Sequence, residues 1–109
     1  MSGLLALALV VSGLHGVVSR GPTKPVCQVG MSCSEPAVGS VLVFSHDGAV
    51  VARARTGTGG RYSVRLQPGY YSVRTASAPK IGSGLSPRQV HVRRGVFGRM
   101  NFSIDTGIR

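Results

Sequence analysis

The sequence predicts an all-β domain, a single antiparallel β-sandwich of about seven strands. Three observations lead to this prediction. Apolar and polar residues alternate in several short segments, 16 Gly and 6 Pro punctuate the 109 residues, and no segment has the period of an amphipathic helix. With no Trp, three Phe and three Tyr, the core must consist mainly of Val, Leu, Ile and Ala, and β-branched residues favour strands.

Seven segments carry the strand pattern, and residues 61–66 show it most clearly because apolar residues alternate there with Arg and Ser. Such alternation is typical of a half-buried strand. The predicted strands are residues 14–19, 40–45, 50–56, 61–66, 70–75, 89–93 and 99–104. The predicted inward residues of four of them are Tyr62, Val64, Leu66, Tyr71, Val73, Thr75, Val90, Val92, Met100, Phe102 and Ile104.

Turn signals separate the predicted strands. His46-Asp47-Gly48 predicts a hairpin, because Gly accepts positive φ and Asp supports the turn. Residues 56–60 (TGTGG) predict a second hairpin turn, and Gln67-Pro68-Gly69 predicts a further tight turn. Residues 21–37 and 76–88 contain Gly, Pro and Ser and are predicted loops.

The amino-terminal segment contains an apolar run, residues 4–11, that is too short to span a bilayer. The run resembles the hydrophobic region of a secretory signal with small residues at Ser12 and Gly13, although no Lys or Arg precedes it. Residues 1–12 are therefore predicted to be a signal peptide or its remnant, and residues 13–109 the domain. The protein is predicted to be secreted or associated with the cell envelope, without a transmembrane segment. The alternative is that the run forms a buried first strand.

Two cysteines, Cys27 and Cys33, lie in the predicted loop 21–37. Thiols at this spacing close a small disulfide when the compartment is oxidising. Two cysteines alone do not complete a zinc site, and no histidine pair stands at ligand spacing. The sequence therefore predicts a Cys27–Cys33 disulfide and neither a metal nor another cofactor.

The chain is strongly basic, with 13 Lys and Arg against 3 Asp and Glu and a formal net charge of +10. Such a balance predicts attraction to anions, among them acidic envelope polymers and phospholipid head groups. The charges are scattered along the chain, which disfavours nucleic acid as the partner. The alternative is a solvated surface that resists aggregation. The candidate binding face consists of outward residues of the predicted strands, namely Arg53, Arg55, Arg61, Arg65, Tyr70 and Arg74.

Three features with catalytic associations lack the surroundings that catalysis requires. Asp105-Thr106-Gly107 matches the aspartic protease triplet, but the two residues that follow Gly107 in this sequence are too few to build the supporting flap. Residues 57–60 precede a predicted strand, whereas a phosphate-binding loop precedes a helix. The histidines are dispersed, no Asp or Cys is predicted to orient them, and they are predicted to be surface residues: His15, His46 and His91. The protein is therefore predicted not to be an enzyme.

Three segments form an ordered series, namely residues 39–43 (GSVLV), 56–62 (TGTGGRY) and 66–73 (LQPGYYSV). The series resembles the carboxypeptidase regulatory-like domain, a transthyretin-like sandwich related to adhesin repeats and grouped with carbohydrate-binding-like folds. The resemblance implies the fold and a small exported bacterial protein, and it does not imply peptidase activity. The residues expected to determine the turns of this fold are Gly60, Pro68, Gly69 and Tyr71.

These observations predict a non-catalytic extracellular module with a structural or binding role. It is expected to bind a partner protein or an anionic envelope polymer through a basic sheet face. The resemblance adds the alternative of a carbohydrate-binding module, for which Tyr70 is the exposed aromatic residue that the strand pattern offers.

Overall fold

Short strands make up most of the part of the chain that the computed structural model describes, which is residues 11–23, 28, 30, 33–76 and 84–106. Within these residues there is no α-helix, and one turn of 3-10 helix, Thr58–Gly60, is the sole helical element. The prediction of an all-β chain is confirmed. The strands in chain order are β1 (Gly13–Gly21), β2 (Glu35–Pro36), β3 (Val41–His46), β4 (Ala49–Arg55), β5 (Arg61–Arg65), β6 (Gly69–Thr75), β7 (Leu85–Ser86), β8 (Gln89–Val92), β9 (Phe97–Arg99) and β10 (Phe102–Asp105).

The strands form two sheets. In the four-stranded sheet the order is β4-β3-β6-β8, and every pair is antiparallel. The six-stranded sheet is built around the long strand β1, which pairs antiparallel with β2 and β5 and parallel with β9 and β10, while β7 adjoins β10. Both sheets are rich in antiparallel pairs, as predicted, but the prediction of an antiparallel arrangement is wrong for the two parallel pairs that β1 forms with β9 and β10. A parallel pair needs a long connection, and nearly the whole domain lies between β1 and the last two strands.

One cluster of buried side chains contains residues from both sheets, so the two sheets share a single core. Leu14 and Val18 of β1 meet Leu42 and Phe44 of β3 in this cluster. Of the eleven side chains that alternation predicts to point inward on four strands, nine are buried. Met100 and Ile104 are partly buried and pack against the core. Burial of each Val, Leu or Phe side chain contributes about 1.5–3 kcal/mol to folding.

The pattern of strands departs from the prediction at three places. Strands β2 and β7, of two residues each, lie in segments predicted to be loops. The predicted strand 99–104 is divided between β9 and β10 by Met100 and Asn101. Strands β2 and β7 were not predicted because two residues are too few to show alternation.

The predicted hairpin across residues 56–60 is wrong, although the turn itself is present. Strand β4 ends in the four-stranded sheet, and β5 pairs with β1 in the other sheet. The 3-10 turn Thr58–Gly60 therefore carries the chain from one layer to the other. By contrast, Asp47 and Gly48 have φ values of 50° and 83° and join β3 to β4 in the predicted hairpin.

Two predictions concern residues that the structure does not describe. Residues 1–10 and Cys27 lie outside the described residues, so the signal peptide and the Cys27–Cys33 disulfide stay predictions. Ser12, at the predicted end of the signal segment, is buried, and its hydroxyl donates a hydrogen bond to the Leu66 carbonyl at 2.7 Å. Within the described part of the chain, no helix is long and apolar enough to cross a membrane.

Candidate functional site

Three of the predicted arginines lie together on the outer face of the four-stranded sheet. Val43 of β3 lies directly opposite Arg53 of β4 on one side and directly opposite Arg74 of β6 on the other. Arg55 is on the same face as Arg53 because Ala54, between them, points into the core. Strand geometry separates the Cα atoms of Arg53 and Arg55 by about 7 Å, and those of Arg53 and Arg74 by about 10 Å. These three residues are called the arginine cluster.

The side chain of Val43 is buried although it points away from the core. It is 1% exposed, yet it does not belong to the cluster of residues that the two sheets share. Its neighbours on the outer face include Arg53 and Arg74 on either side, and the apolar stem of an arginine covers apolar surface while its guanidinium stays in water. Val43 is therefore a buried residue between two arginines on the outer face of the sheet.

The arginine cluster has no acidic counterpart in the described residues. Glu35 pairs with Arg20 of the six-stranded sheet at 3.3 Å, and Asp47 lies beside His46 in the turn that precedes β4. Asp105, the remaining acid, is on β10 of the other sheet. Each pair of charges about 8 Å apart repels by about 0.5 kcal/mol in water. This repulsion is too weak to prevent folding, but none of the described acidic residues offsets it. A bound anion would therefore interact favourably with several guanidinium groups at once.

Tyr70 shares this outer face but lies away from the arginine cluster. It is four positions from Arg74 along β6, and this spacing separates their Cα atoms by about 13 Å. Its side chain is 71% exposed. The ring stacks on His91 of β8, with the centroids 4.2 Å apart and an angle of 10° between the planes. The register of β6 and β8 sets Tyr70 opposite His91, a pairing that the sequence alone does not indicate.

The remaining two arginines of the predicted face, Arg61 and Arg65, lie elsewhere. They are exposed on β5, whose inward residues Tyr62 and Val64 belong to the core. They therefore occupy the outer face of the six-stranded sheet. The six predicted residues do not form one continuous face, because the 3-10 turn takes β5 into the other layer.

The predicted turn residues have specific packing roles. Gly60 has φ 75°, and a Cβ atom added there would lie 2.3 Å from the Val18 carbonyl oxygen. Tyr71, the third residue of β6, is buried, and its hydroxyl donates a hydrogen bond to the Gln67 carbonyl at 2.6 Å. Burial raises the pKa of Tyr71, and the hydrogen bond to Gln67 opposes this shift. The bond spans the turn at Pro68 and ties β6 to the residues before it.

The expectation that no acid orients His46 is wrong. Its Nε2 atom lies 3.3 Å from a carboxylate oxygen of Asp47, and its Nδ1 atom lies 2.9 Å from the Tyr70 carbonyl oxygen. Both ring nitrogens therefore face protein groups. This arrangement fastens the β3–β4 turn to β6 and leaves neither nitrogen directed at a nucleophile.

Comparison with known proteins gives no family for this chain. Neither a protein-family model nor a curated protein sequence matches it. The resemblance to the carboxypeptidase regulatory-like domain therefore stays a prediction, and the function must be argued from the site itself.

Proposed function

We propose that this protein is a non-catalytic interaction module that binds an anionic partner through the arginine cluster. One observation carries the proposal: Arg53, Arg55 and Arg74 surround the buried Val43 on a sheet face that has no acidic residue among its described positions. Arginine stems that pack on Val43 would lose less conformational entropy on binding than fully solvated stems would. A flexible, solvated set of charges would lack this feature.

The surroundings of the polar side chains support a non-catalytic role. The hydroxyl of Thr106, within the protease-like triplet, donates a hydrogen bond to the Pro22 carbonyl at 2.7 Å. His46 is held by Asp47 and Tyr70. General acid–base or nucleophilic catalysis needs a side chain that is directed at substrate and activated by a neighbour, and these side chains are directed at the protein's own backbone and turn.

The proposal is tested by binding to polyglycerol phosphate, a polymer whose charge resembles that of an anionic cell envelope. The test variant replaces Arg53, Arg55 and Arg74 with Gln. Exposed ion pairs contribute about 0.2–1 kcal/mol each, so the triple variant should bind roughly 3- to 160-fold more weakly at low salt. Added salt should weaken binding of the unaltered protein as well, because exposed charges are screened.

A matched control separates the site from the overall charge. Arg93, Arg94 and Arg99 are also exposed and lie outside the arginine cluster, so replacing all three with Gln changes the net charge equally. The control variant should retain most of the affinity. An equal loss in the two triple variants would show that net charge alone causes binding and would contradict the proposal.

Carbohydrate binding is the second candidate, and the exposed Tyr70–His91 stack favours it. Sugars bind to aromatic ring faces, and one face of Tyr70 is covered by His91, which leaves its other face for a ligand. This candidate predicts binding to a neutral glycan such as dextran that persists at high salt and is lost in Tyr70→Ala. Such a result, together with no binding to polyglycerol phosphate, would replace the first candidate by the second.

We also propose that the domain belongs to the carboxypeptidase regulatory-like, transthyretin-like group and acts outside the cytoplasm. The two-sheet, all-β arrangement and the turn held by Tyr71 and Gln67 support the first part. The second part depends on the apolar run and the cysteine pair. Secretion of the full chain from a bacterial host, with its mature end sequenced and the thiols of Cys27 and Cys33 titrated, tests it. Retention in the cytoplasm or two reactive thiols in exported protein would contradict it.

A further inference from the structure

The arginine cluster continues to the free edge of the four-stranded sheet. Among the described residues, strand β4 is the terminal strand of that sheet and pairs with β3 alone. Two of the three clustered residues, Arg53 and Arg55, lie on this strand. A terminal strand presents backbone groups to which another extended chain can pair.

The hydrogen-bond pattern shows which backbone groups face outward. The Thr56 amide donates to the Ser40 carbonyl, and the Thr56 carbonyl accepts from the Gly39 amide. Both backbone groups of Thr56 therefore point toward the β3 side of the strand. Successive residues of a strand alternate in this respect. The amide and carbonyl groups of Arg53 and Arg55 therefore point away from β3, toward the open edge.

The open edge is short and well delimited. A bulge between β3 and β4, at Phe44 and Ser45, disturbs the pairing near the start of β4 and bends the strand there. At the other end, the Gly57 amide donates to the Arg61 carbonyl. The regular part of the edge is therefore Ala52 to Arg55, which is long enough for one short extended segment.

A second copy of this chain is a poor occupant of the edge. Pairing of two β4 edges would place arginines directly opposite arginines, and like charges at such positions are destabilising. The net charge of +10 adds a general repulsion between copies. The same arginines favour an incoming strand that carries acids at alternate positions, on the same face as Arg53 and Arg55.

A peptide backbone matches this edge better than a charged polymer does. The outward groups of Arg53 and Arg55 include both N–H donors and C=O acceptors, and a peptide strand supplies partners for both. A polyphosphate or an ionised polysaccharide acid supplies mainly acceptors at its charged groups. The residue between the two acids would lie beside Ala54, which is buried at the margin of the core, so an apolar side chain suits that position.

We propose that β4 accepts an acidic, extended segment of a partner protein as an additional strand, with acidic residues beside Arg53 and Arg55 and an apolar residue between them. This proposal names the partner of the arginine cluster and therefore rests on the proposed function. The added strand forms backbone hydrogen bonds with both arginines, while their guanidinium groups pair with its carboxylates.

The test uses the full chain and a short synthetic peptide in which Glu and Val alternate. One control peptide has the same composition with its Glu residues contiguous, and a second has N-methyl groups on the backbone amides that would face β4. We expect the alternating peptide to bind at least tenfold more tightly than either control. Amide hydrogen exchange at Arg53 and Arg55 should slow when it binds. Equal affinity for the three peptides, or binding without slower exchange, would overturn strand addition.

A change of specificity provides the second arm. The variant Arg53→Glu with Arg55→Glu should lose at least tenfold in affinity for the Glu–Val peptide and should bind a Lys–Val peptide instead, with circular dichroism confirming the fold. A folded variant that still binds the Glu–Val peptide would overturn the proposal. If polyglycerol phosphate binds the unaltered protein and the Glu–Val peptide does not, strand addition fails while the proposed function stands. If neither binds, both fail.

Discussion

Gly60 is the residue at which a single added methyl group should most clearly perturb the fold. Its φ of 75° lies in the left-handed region, and a Cβ atom there would lie 2.3 Å from the Val18 carbonyl oxygen. That oxygen already accepts a hydrogen bond from the Ala37 amide at 2.9 Å. Gly60→Ala should therefore both strain the 3-10 turn and displace a buried carbonyl from its donor.

The expected loss of stability can be divided between these two effects. A non-glycine residue in the left-handed region loses about 1 kcal/mol. Weakening the buried Ala37–Val18 hydrogen bond adds about 2 kcal/mol. Gly60→Ala should therefore lower the free energy of unfolding by about 3 kcal/mol in total. The neighbouring Gly59 has φ 70° and no atom within 4 Å of an added Cβ, so Gly59→Ala should show only the first effect, about 1 kcal/mol.

Urea titration followed by circular dichroism measures both variants. The difference of about 2 kcal/mol corresponds to roughly 10 °C in melting temperature for a domain of this size. Because the two glycines share a conformation and differ in their surroundings, the comparison isolates the contact with Val18. Equal destabilisation of the two variants would refute the close packing of the 3-10 turn against β1.

The remaining predictions concern buried hydroxyl groups. The Thr75 hydroxyl has no hydrogen-bond partner in the described residues, so Thr75→Val should stabilise the protein by about 1 kcal/mol. The Thr56 hydroxyl donates a hydrogen bond to the Ala37 carbonyl, so Thr56→Val should destabilise the protein by about 2 kcal/mol. Urea titrations that give both variants the same sign would contradict this pair of predictions. The Tyr62 hydroxyl donates to the Met100 carbonyl, so Tyr62→Phe should lower stability by about 1 kcal/mol at pH 7. Burial also raises the pKa of Tyr62 above its ordinary value of 10.0. The unfolded chain then releases this proton first, and stability should fall as the pH rises above about 10. The Tyr62→Phe variant should lose less stability than the unaltered protein over that pH range. An equal loss in the two proteins would argue against a raised pKa for Tyr62.

Alternation predicted the strands that bury one face and expose the other. On β6, Tyr71 and Val73 are buried while Tyr70 and Arg74 are exposed, because successive side chains of a strand point to opposite sides. On β8, the same rule correctly assigned Val90 to the core. The rule applies where one face of a sheet is buried and the other is exposed to solvent, and these strands satisfy that condition.

The division of the last predicted strand has a local cause that alternation does not show. Gly13 lies opposite Phe97 and Val18 lies opposite Phe102, so β9 and β10 run beside β1 in one continuous register. Between them, the Asn101 side chain accepts a hydrogen bond from the Val17 amide at 3.0 Å. A side-chain oxygen thus replaces a backbone acceptor, and the strand is interrupted without any change in the direction of the chain.

The placement of the arginines depends on pairing between strands, which a single strand's pattern does not contain. Alternation correctly turns Arg53 and Arg61 away from the core, but it does not specify the sheet to which each strand belongs. That assignment depends on the 3-10 turn, where Gly60 packs against the Val18 carbonyl of the six-stranded sheet and so directs β5 into that layer. The turn therefore decides which arginines share a face. A partial loss of this packing in Gly60→Ala should disturb β5 and Arg61 before it affects the arginine cluster. The strands that carry the cluster, β4 and β6, are both paired with β3 in the other sheet.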